Sequence, residues 1–224
     1  MINWPEIDTV LLDMDGTLLD LHFDNHFWNV FLPKHFASVN GQHEDEARDK
    51  LNALFSAQRG TLNWYCVDYW SNELGLDIQT LKYEVSHLIA IRPFVTEFLE
   101  QLKQGHQQVI LVTNAHQKSL DIKMDITGIA SLFDHIVVSH DFRRPKEDVK
   151  FWHYLKAAHP FDPEKTLLID DNMSVLASAK QYGIKHLLTL LQPDSQQKKR
   201  DNTPFPGIHH FDEIMPTTSN NPIS

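Results

Sequence analysis

Cysteine is nearly absent: Cys66 stands alone among 224 residues, so neither a disulfide framework nor a cysteine-based zinc cluster can form within the chain. No stretch approaches the ~18 consecutive apolar residues that a membrane span needs. The segment Met1 to Asp8 carries Glu6 and Asp8 and no basic region, so it does not read as a signal peptide. Cations are scarce as well, with 20 Lys plus Arg against 30 Asp plus Glu and a formal net charge of −10. That balance argues against binding to nucleic acid polymers or anionic membranes, because phosphate neutralisation needs clustered cations. The one basic run, Lys198-Lys199-Arg200, reads as solvated surface in a polar tail. The 14 histidines are numerous but scattered. His22 and His26 lack the flanking glutamate of a zincin, and His209-His210 lie in a Pro-rich stretch. These exclusions predict a cytoplasmic protein.

A hydrophobic content of 42% is enough for a sizeable core, and the length falls between one domain and two. Val10-Leu11-Leu12-Asp13 reads as a buried strand that ends in carboxylates and a glycine turn. Similar runs occur at Val109 to Val112, Ile136 to Val138, Thr166 to Ile169 and His186 to Leu191. Helical patterns separate them. Phe94, Phe98 and Leu102 precede Gly105, taken as a C-cap, and Leu120 and Met124 precede Gly128. Val149, Trp152 and Leu155 mark a third helix, and Asn172 caps a fourth that Gly183 ends. Alternation of this kind predicts an α/β fold, a Rossmann-like parallel sheet of about five strands covered by helices.

Residues 20–92 break the rhythm with helical periodicity alone, which predicts an all-helical insertion into a core made of 1–19 and 93–224. Its stripes are Phe23, Phe27, Val30 and Phe31, stopped near Pro33; Ala47, Leu51, Leu54 and Phe55; Trp64, Val67, Ser71 and Leu74; and Leu81, Val85 and Leu88 behind an Asp77 cap. Phe205 to Met215 is expected to dock on the core, and 217–224 to fray.

Chemistry concentrates at the strand ends, where open α/β sheets bind ligands. Asp13, Asp15 and Thr17 follow the first strand, Thr113-Asn114 the second, Lys146 the third and Asp170-Asp171 the fourth. Four carboxylates converging on one edge call for compensation, and all-oxygen ligation suits Mg²⁺. Asp20, Asp24 and Asp141 read as caps or surface charges.

Asp13-Met14-Asp15-Gly16-Thr17, Thr113, Lys146 and Asp170-Asp171 resemble, in order and placement, the four motifs of the haloacid dehalogenase (HAD) superfamily of phosphohydrolases. The resemblance implies that Asp13 is the nucleophile, forming an aspartyl-phosphate, and that Asp15 is the general acid and base. Thr113, Asn114 and Lys146 would bind the phosphate, with the Asn114 and Ala115 amides contributing. Asp13 and Asp171 would ligate the metal by their side chains and Asp15 by its backbone carbonyl, while Asp170 would ligate directly or through water. The insertion sits where that superfamily carries its helical C1-type cap. An aspartate at position 15 favours phosphate chemistry over C–halogen cleavage, which needs no proton donor. A phosphonate cleaver would need a cap lysine, and Lys34, Lys50 and Lys82 occupy no recognisable setting.

The cap's most unusual stretch runs from Thr61 to Trp70 and carries Trp64, Tyr65, Tyr69 and Trp70. Trp64, Tyr65 and Trp70 cannot all share one helix face, so some ring must turn to another surface, and a purine stacks well on such a ring. This stretch, His22-Phe23-Asp24-Asn25 and Thr113-Asn114-Ala115-His116 are similar to bacterial GMP/IMP nucleotidases of the same superfamily. That likeness implies hydrolysis of purine 5′-mononucleotides but assigns no base-reading residue. Asn63, Asp68 and His116 are polar candidates, with capping of the helix after the second strand as the alternative for His116. Two alternatives stand beside it: a phosphatase of a sugar phosphate or another small metabolite, and a catalytically silent binding protein with the same fold.

Overall fold

The computed structural model describes residues 2–216. Six strands form one parallel sheet in the order β3-β2-β1-β4-β5-β6. They are β1 (Thr9–Leu12), β2 (Gln108–Thr113), β3 (His135–Val138), β4 (Thr166–Ile169), β5 (His186–Leu190) and β6 (Gly207–Ile208). The order reverses direction at β1, whose neighbours are β2 and β4 with Leu12 opposite both Leu111 and Ile169. Residues just beyond Leu12, Thr113 and Ile169 are thereby brought to one edge, the crevice where such sheets bind ligands.

Side-chain alternation explains why the sheet is covered on both faces. Val10, Leu12, Val109, Leu111, Leu167 and Ile169 pack on one side, while Leu11, Ile110, Val112 and Leu168 pack on the other. Helices α7 (Val95–Lys103) and α8 (Gln117–Thr127) face the first cluster, and α9 (Val149–Ala158) and α10 (Met173–Tyr182) the second. Between β1 and β2 the chain makes an all-helical insertion: α1 (His22–His26), α2 (Leu32–Asn40), α3 (Glu44–Gln58), α4 (Leu62–Tyr65), α5 (Val67–Leu74) and α6 (Ile78–Glu84). It has its own core of Phe23, Phe27, Leu51, Phe55, Trp70 and Leu81, among others.

The two connections between insertion and sheet are stitched together. Leu19 pairs antiparallel with Ile91, the Asp20 amide donates to the Ala90 carbonyl at 2.9 Å, and the Arg92 amide donates to the Leu18 carbonyl at 3.0 Å. The buried Arg92 guanidinium donates to the Gln192, Pro193 and His209 carbonyls, tying this double crossing to the segment that leads into β6.

Several local expectations need correction. The sixth strand, β6, lies in the segment expected only to dock, and the Trp4 indole donates to the Ile214 carbonyl just after it. Pro33 does not stop its helix. A wide helical turn over Phe27–Phe31 precedes it, and Pro33 sits in the first turn of α2, where a missing N–H leaves no bond unmade. Gly105 is not a left-handed cap, because α7 ends on Gln104 in right-handed helical geometry. The Trp64–Leu74 stripe is two helices, broken at Cys66, whose extended backbone lets its sulfur accept from the Tyr69 amide. Gly128 and Gly183 do end α8 and α10, and Asn172 caps α10. The fraying expected of 217–224 lies outside the described residues.

Candidate active site

The strand ends meet as the motif spacing predicts. Lys146 is almost wholly buried, and its ammonium donates to Asp13 Oδ1 (2.5 Å), Asp170 Oδ2 (2.7 Å) and the Val112 carbonyl (2.9 Å). Asp170 Oδ1 accepts from the Asn172 amide at 2.9 Å, so the acid that ends β4 also shapes the start of α10. One carboxylate oxygen from each of Asp13, Asp170 and Asp171 lies within 4.8 Å of the others. Gly16 allows this closeness: its φ is +82°, and a Cβ there would come 2.8 Å from the Asp171 carboxyl carbon.

Charge is out of balance at this edge. Burial pushes the Asp13 carboxyl up to about 6, Asp170 adds to the rise, and Lys146 opposes it. Burial raises Asp171 well above the ordinary carboxylate range, with Asp13 and Asp170 reinforcing it. Asp13 Oδ2 is buried without a hydrogen-bond partner among the described residues. An orphaned carboxylate oxygen beside two further carboxylates is the donor set of a hard divalent cation, so the residues present fit Mg²⁺.

The other residues singled out from sequence divide sharply. The Thr113 hydroxyl accepts from the Ala115 amide at 3.0 Å, so that amide is engaged within its own loop. The Asn114 side chain accepts from the Lys146 amide (2.9 Å) and donates to Glu147 (2.9 Å), so it holds the lysine's loop. The Asp15 carboxylate is not among the three clustered ones; Lys123 on α8 donates to its Oδ1 at 2.6 Å. Burial raises Asp15 to about 6 against the opposing pull of Lys123.

Four residues set aside or overlooked belong to the site. Asp24 is no surface charge: it accepts from Lys82 (2.8 Å) and from Lys123 (2.6 Å). Lys82, on α6, is buried with its ammonium 4.7 to 5.3 Å from the ring centres of Phe23, Phe27 and Trp28. Arg200, from the basic run read as solvated, donates to the Asp171 carbonyl at 2.6 Å. Glu147 accepts from the Tyr65 hydroxyl at 2.6 Å, joining α4 of the insertion to the loop of Lys146. By contrast Asn63, Asp68 and His116 do not line the cavity between insertion and sheet. Asp68 pairs with Lys118, and His116 caps α8.

That cavity measures about 460 Å³, within the ordinary range for small-molecule sites. Its floor includes Asp13, Asp15, Lys146 and Asp171, and its walls include Trp28, Phe55, Trp64, Tyr65 and Trp70. Among the described residues no helix is long and apolar enough to cross a membrane.

Residues 10–189 match the family of haloacid dehalogenase-like hydrolases. The chain belongs to that family. Among curated relatives of this HAD hydrolase is the GMP/IMP nucleotidase YrfG of Escherichia coli (strain K12), 40% identical over 216 residues that cover 96% of this chain and 97% of the relative. Among solved structures, a HAD phosphatase from Thermococcus onnurineus superposes with a TM-score of 0.76 at 20% identity, covering 93% of this chain and 96% of the other. The HAD hydrolase YfnB from Bacillus subtilis, solved bound to magnesium, gives 0.62 at 18% identity over the same shares. Both likenesses concern the fold.

Proposed function

We propose that this HAD hydrolase is a Mg²⁺-dependent phosphatase of purine 5′-mononucleotides, releasing a nucleoside and inorganic phosphate. The observation that carries the reading is one cavity with a cluster of carboxylates on its floor and indole rings on its wall. A phosphate with a metal belongs at the first, and a flat heteroaromatic base at the second. The nucleotidase relative, alike over nearly its whole length, supports the same class of substrate.

Magnesium, held by Asp13, Asp170 and Asp171, would offset the phosphoryl charge and draw the dianion towards a carboxylate nucleophile. The Lys146 ammonium fixes the Asp13 carboxylate by one oxygen and adds a second positive charge at the same point. Asp13 attacks phosphorus, the ester P–O bond breaks, and the Asp15 carboxyl gives its proton to the departing ribose oxygen. Water then attacks the aspartyl-phosphate, Asp15 takes the water's proton, and cleavage of the P–O bond to Asp13 restores its carboxylate and frees phosphate. Burial favours the protonated acid that the first step needs.

A panel of phosphorylated metabolites assayed for phosphate release tests the substrate class. IMP and GMP are expected to show the highest kcat/KM. Hexose phosphates ranking equal to them would replace the nucleotide reading with that of a general metabolite phosphatase.

A further inference from the structure

A second buried ionic cluster lies beside the first and crosses from insertion to sheet. Lys82 of α6 donates to Asp24 of α1, Asp24 accepts in turn from Lys123 of α8, and Lys123 donates to Asp15 after β1. The two lysine side chains are 2% and 1% exposed, so none of the three pairs is a surface salt bridge. Both Asp24 oxygens are taken, one by each lysine. Lys123 also lies 5.2 Å from the Phe23 ring, which leaves it little room to move. In the proposed reaction neither lysine touches the phosphoryl group.

We infer that Lys123 is a positioning residue for Asp15, and that Asp24 and Lys82 couple this positioning to the seating of the helical insertion. Three features of the geometry carry the inference. First, an ammonium only donates and binds the more basic unprotonated oxygen best, so with Lys123 on Oδ1 a proton on Asp15 is favoured on Oδ2. The lysine thereby selects which oxygen can deliver the proton. Second, the Asp15 carboxylate held by Lys123 is not one of the clustered Asp13, Asp170 and Asp171 groups, so the contact keeps an acid from becoming another ligand. Third, Lys123 is itself held by Asp24, which stands on the first helix of the insertion and is anchored by Lys82 on the last. A shift of the insertion away from the sheet would strain the Asp24–Lys123 contact and loosen Asp15. The proton donor is thus in register when the cavity is closed over a substrate, the condition in which transfer is productive.

The inference rests on the phosphatase reading, not on the purine preference. Its test uses the full-length Lys123→Met and Asp24→Asn proteins, with folding checked by circular dichroism and thermal melting. Two substrates are compared: IMP, whose alkoxide leaving group needs a proton, and p-nitrophenyl phosphate, whose phenolate does not. For Lys123→Met, kcat on IMP should fall about 100-fold with KM changed little, the low end of what general acid–base catalysis contributes. The pre-steady-state burst of p-nitrophenolate should stay within a few-fold of the unaltered enzyme. Asp24→Asn should show the same leaving-group selectivity at about 10-fold, because Lys123 keeps Asp15 but loses its anchor. If Lys123→Met does not fold, Asp24→Asn decides alone. Equal losses on both substrates, or no loss on either, overturn the positioning role. An enzyme that hydrolyses p-nitrophenyl phosphate and another aliphatic phosphate but not IMP loses only the purine reading, and that second phosphate takes IMP's place. An enzyme with no phosphatase activity on either class removes the phosphatase reading and the inference with it.

Discussion

Two charge clusters lie side by side at the mouth of the sheet, built from the same two residue types, and they differ in balance. At the strand ends, Asp13 and Asp170 share one buried ammonium, and the third carboxylate, Asp171, has Arg200 3.5 Å away at the rim. In the neighbouring bridge, two carboxylates meet two buried ammonium groups. Asp13 Oδ2 has no partner among the described residues, and burial first, then the neighbouring carboxylates, raise Asp171. In the bridge Lys123 and Lys82 together overcome burial and hold Asp24 far below the ordinary carboxylate range, while Asp15, facing Lys123 alone, still rises to about 6. An incomplete cluster has a place for a ligand; a complete one acts as a clamp. The lysines are buried alike in both clusters, so it is their number against the carboxylates that separates a binding site from a structural joint.

The sharpest way to break this contrast is Asp13→Asn. Phosphate release is expected to drop at least 1000-fold with Mg²⁺ present, since an amide is a poor nucleophile and removing a covalent catalyst costs rates of this order. Stability without metal should not fall, because the substitution relieves repulsion among three carboxylates. The rise in Tm that Mg²⁺ gives the unaltered protein should shrink, as one donor loses its charge. Undiminished turnover would remove Asp13 from the mechanism. A large loss of metal-free stability would mean that the strand-end cluster is balanced after all.

Lys82→Met probes the other side. Removing one partner of a buried ion pair costs about 3 kcal/mol, and because Asp24 keeps Lys123 the loss should not exceed that. Urea unfolding measures it, and the Mg²⁺-induced rise in Tm should be unchanged. A stability loss below about 0.5 kcal/mol would put the bridge in the class of solvated surface pairs and end the comparison.

The unbalanced cluster was legible in the sequence and the balanced one was not, for a physical reason. Asp13, Thr113 and Asp170 each close an apolar run that marks a strand, and parallel strands end on one edge, so local pattern brings them together. Lys146 lies beyond β3 after a further helical turn, and only its place in the order of motifs singled it out. Asp15, Asp24, Lys82 and Lys123 stand on a loop and three different helices. Lys123 shares a face of α8 with Leu120, so periodicity turns it inward, but its partners Asp15 and Asp24 lie 108 and 99 positions away and no local pattern pairs them. Arg200 was hidden in a similar way, since its partner lies 29 positions away. Most strands and helices came through for the same local reasons; the exceptions are the short β6, the end of α7 before Gly105, the helix break at Cys66 and the passage of helix through Pro33. At the last two the deciding factors were tertiary packing and a wide helical turn, neither of which is visible in periodicity.

A third joint between insertion and sheet separates closure from chemistry, and its expected effect is the smallest. The Tyr65 hydroxyl donates to Glu147 Oε1 at 2.6 Å, while Asn114 donates to the other oxygen of the same carboxylate. Burial and the adjacent Glu147 raise the Tyr65 hydroxyl, so it stays protonated as a donor across any ordinary pH. Glu147 is next to Lys146 in the chain, but neither it nor Tyr65 contacts Asp13 or Asp15. Tyr65→Phe removes one donor, leaves Glu147 with Asn114 and with Asn172 at 3.4 Å, and keeps the aromatic wall. The expected cost is about 1 kcal/mol, that of one hydrogen bond to a carboxylate that keeps other partners. If the contact serves only to seat the insertion over bound substrate, KM should rise a few-fold and kcat should hold, with the same ratio for IMP and p-nitrophenyl phosphate. Lys123→Met is expected to do the reverse, lowering kcat on IMP with KM little changed while sparing the burst of p-nitrophenolate. A leaving-group-selective loss in Tyr65→Phe would mean that any loosening of the insertion disturbs Asp15, which would move the coupling from the ionic bridge to the insertion as a whole.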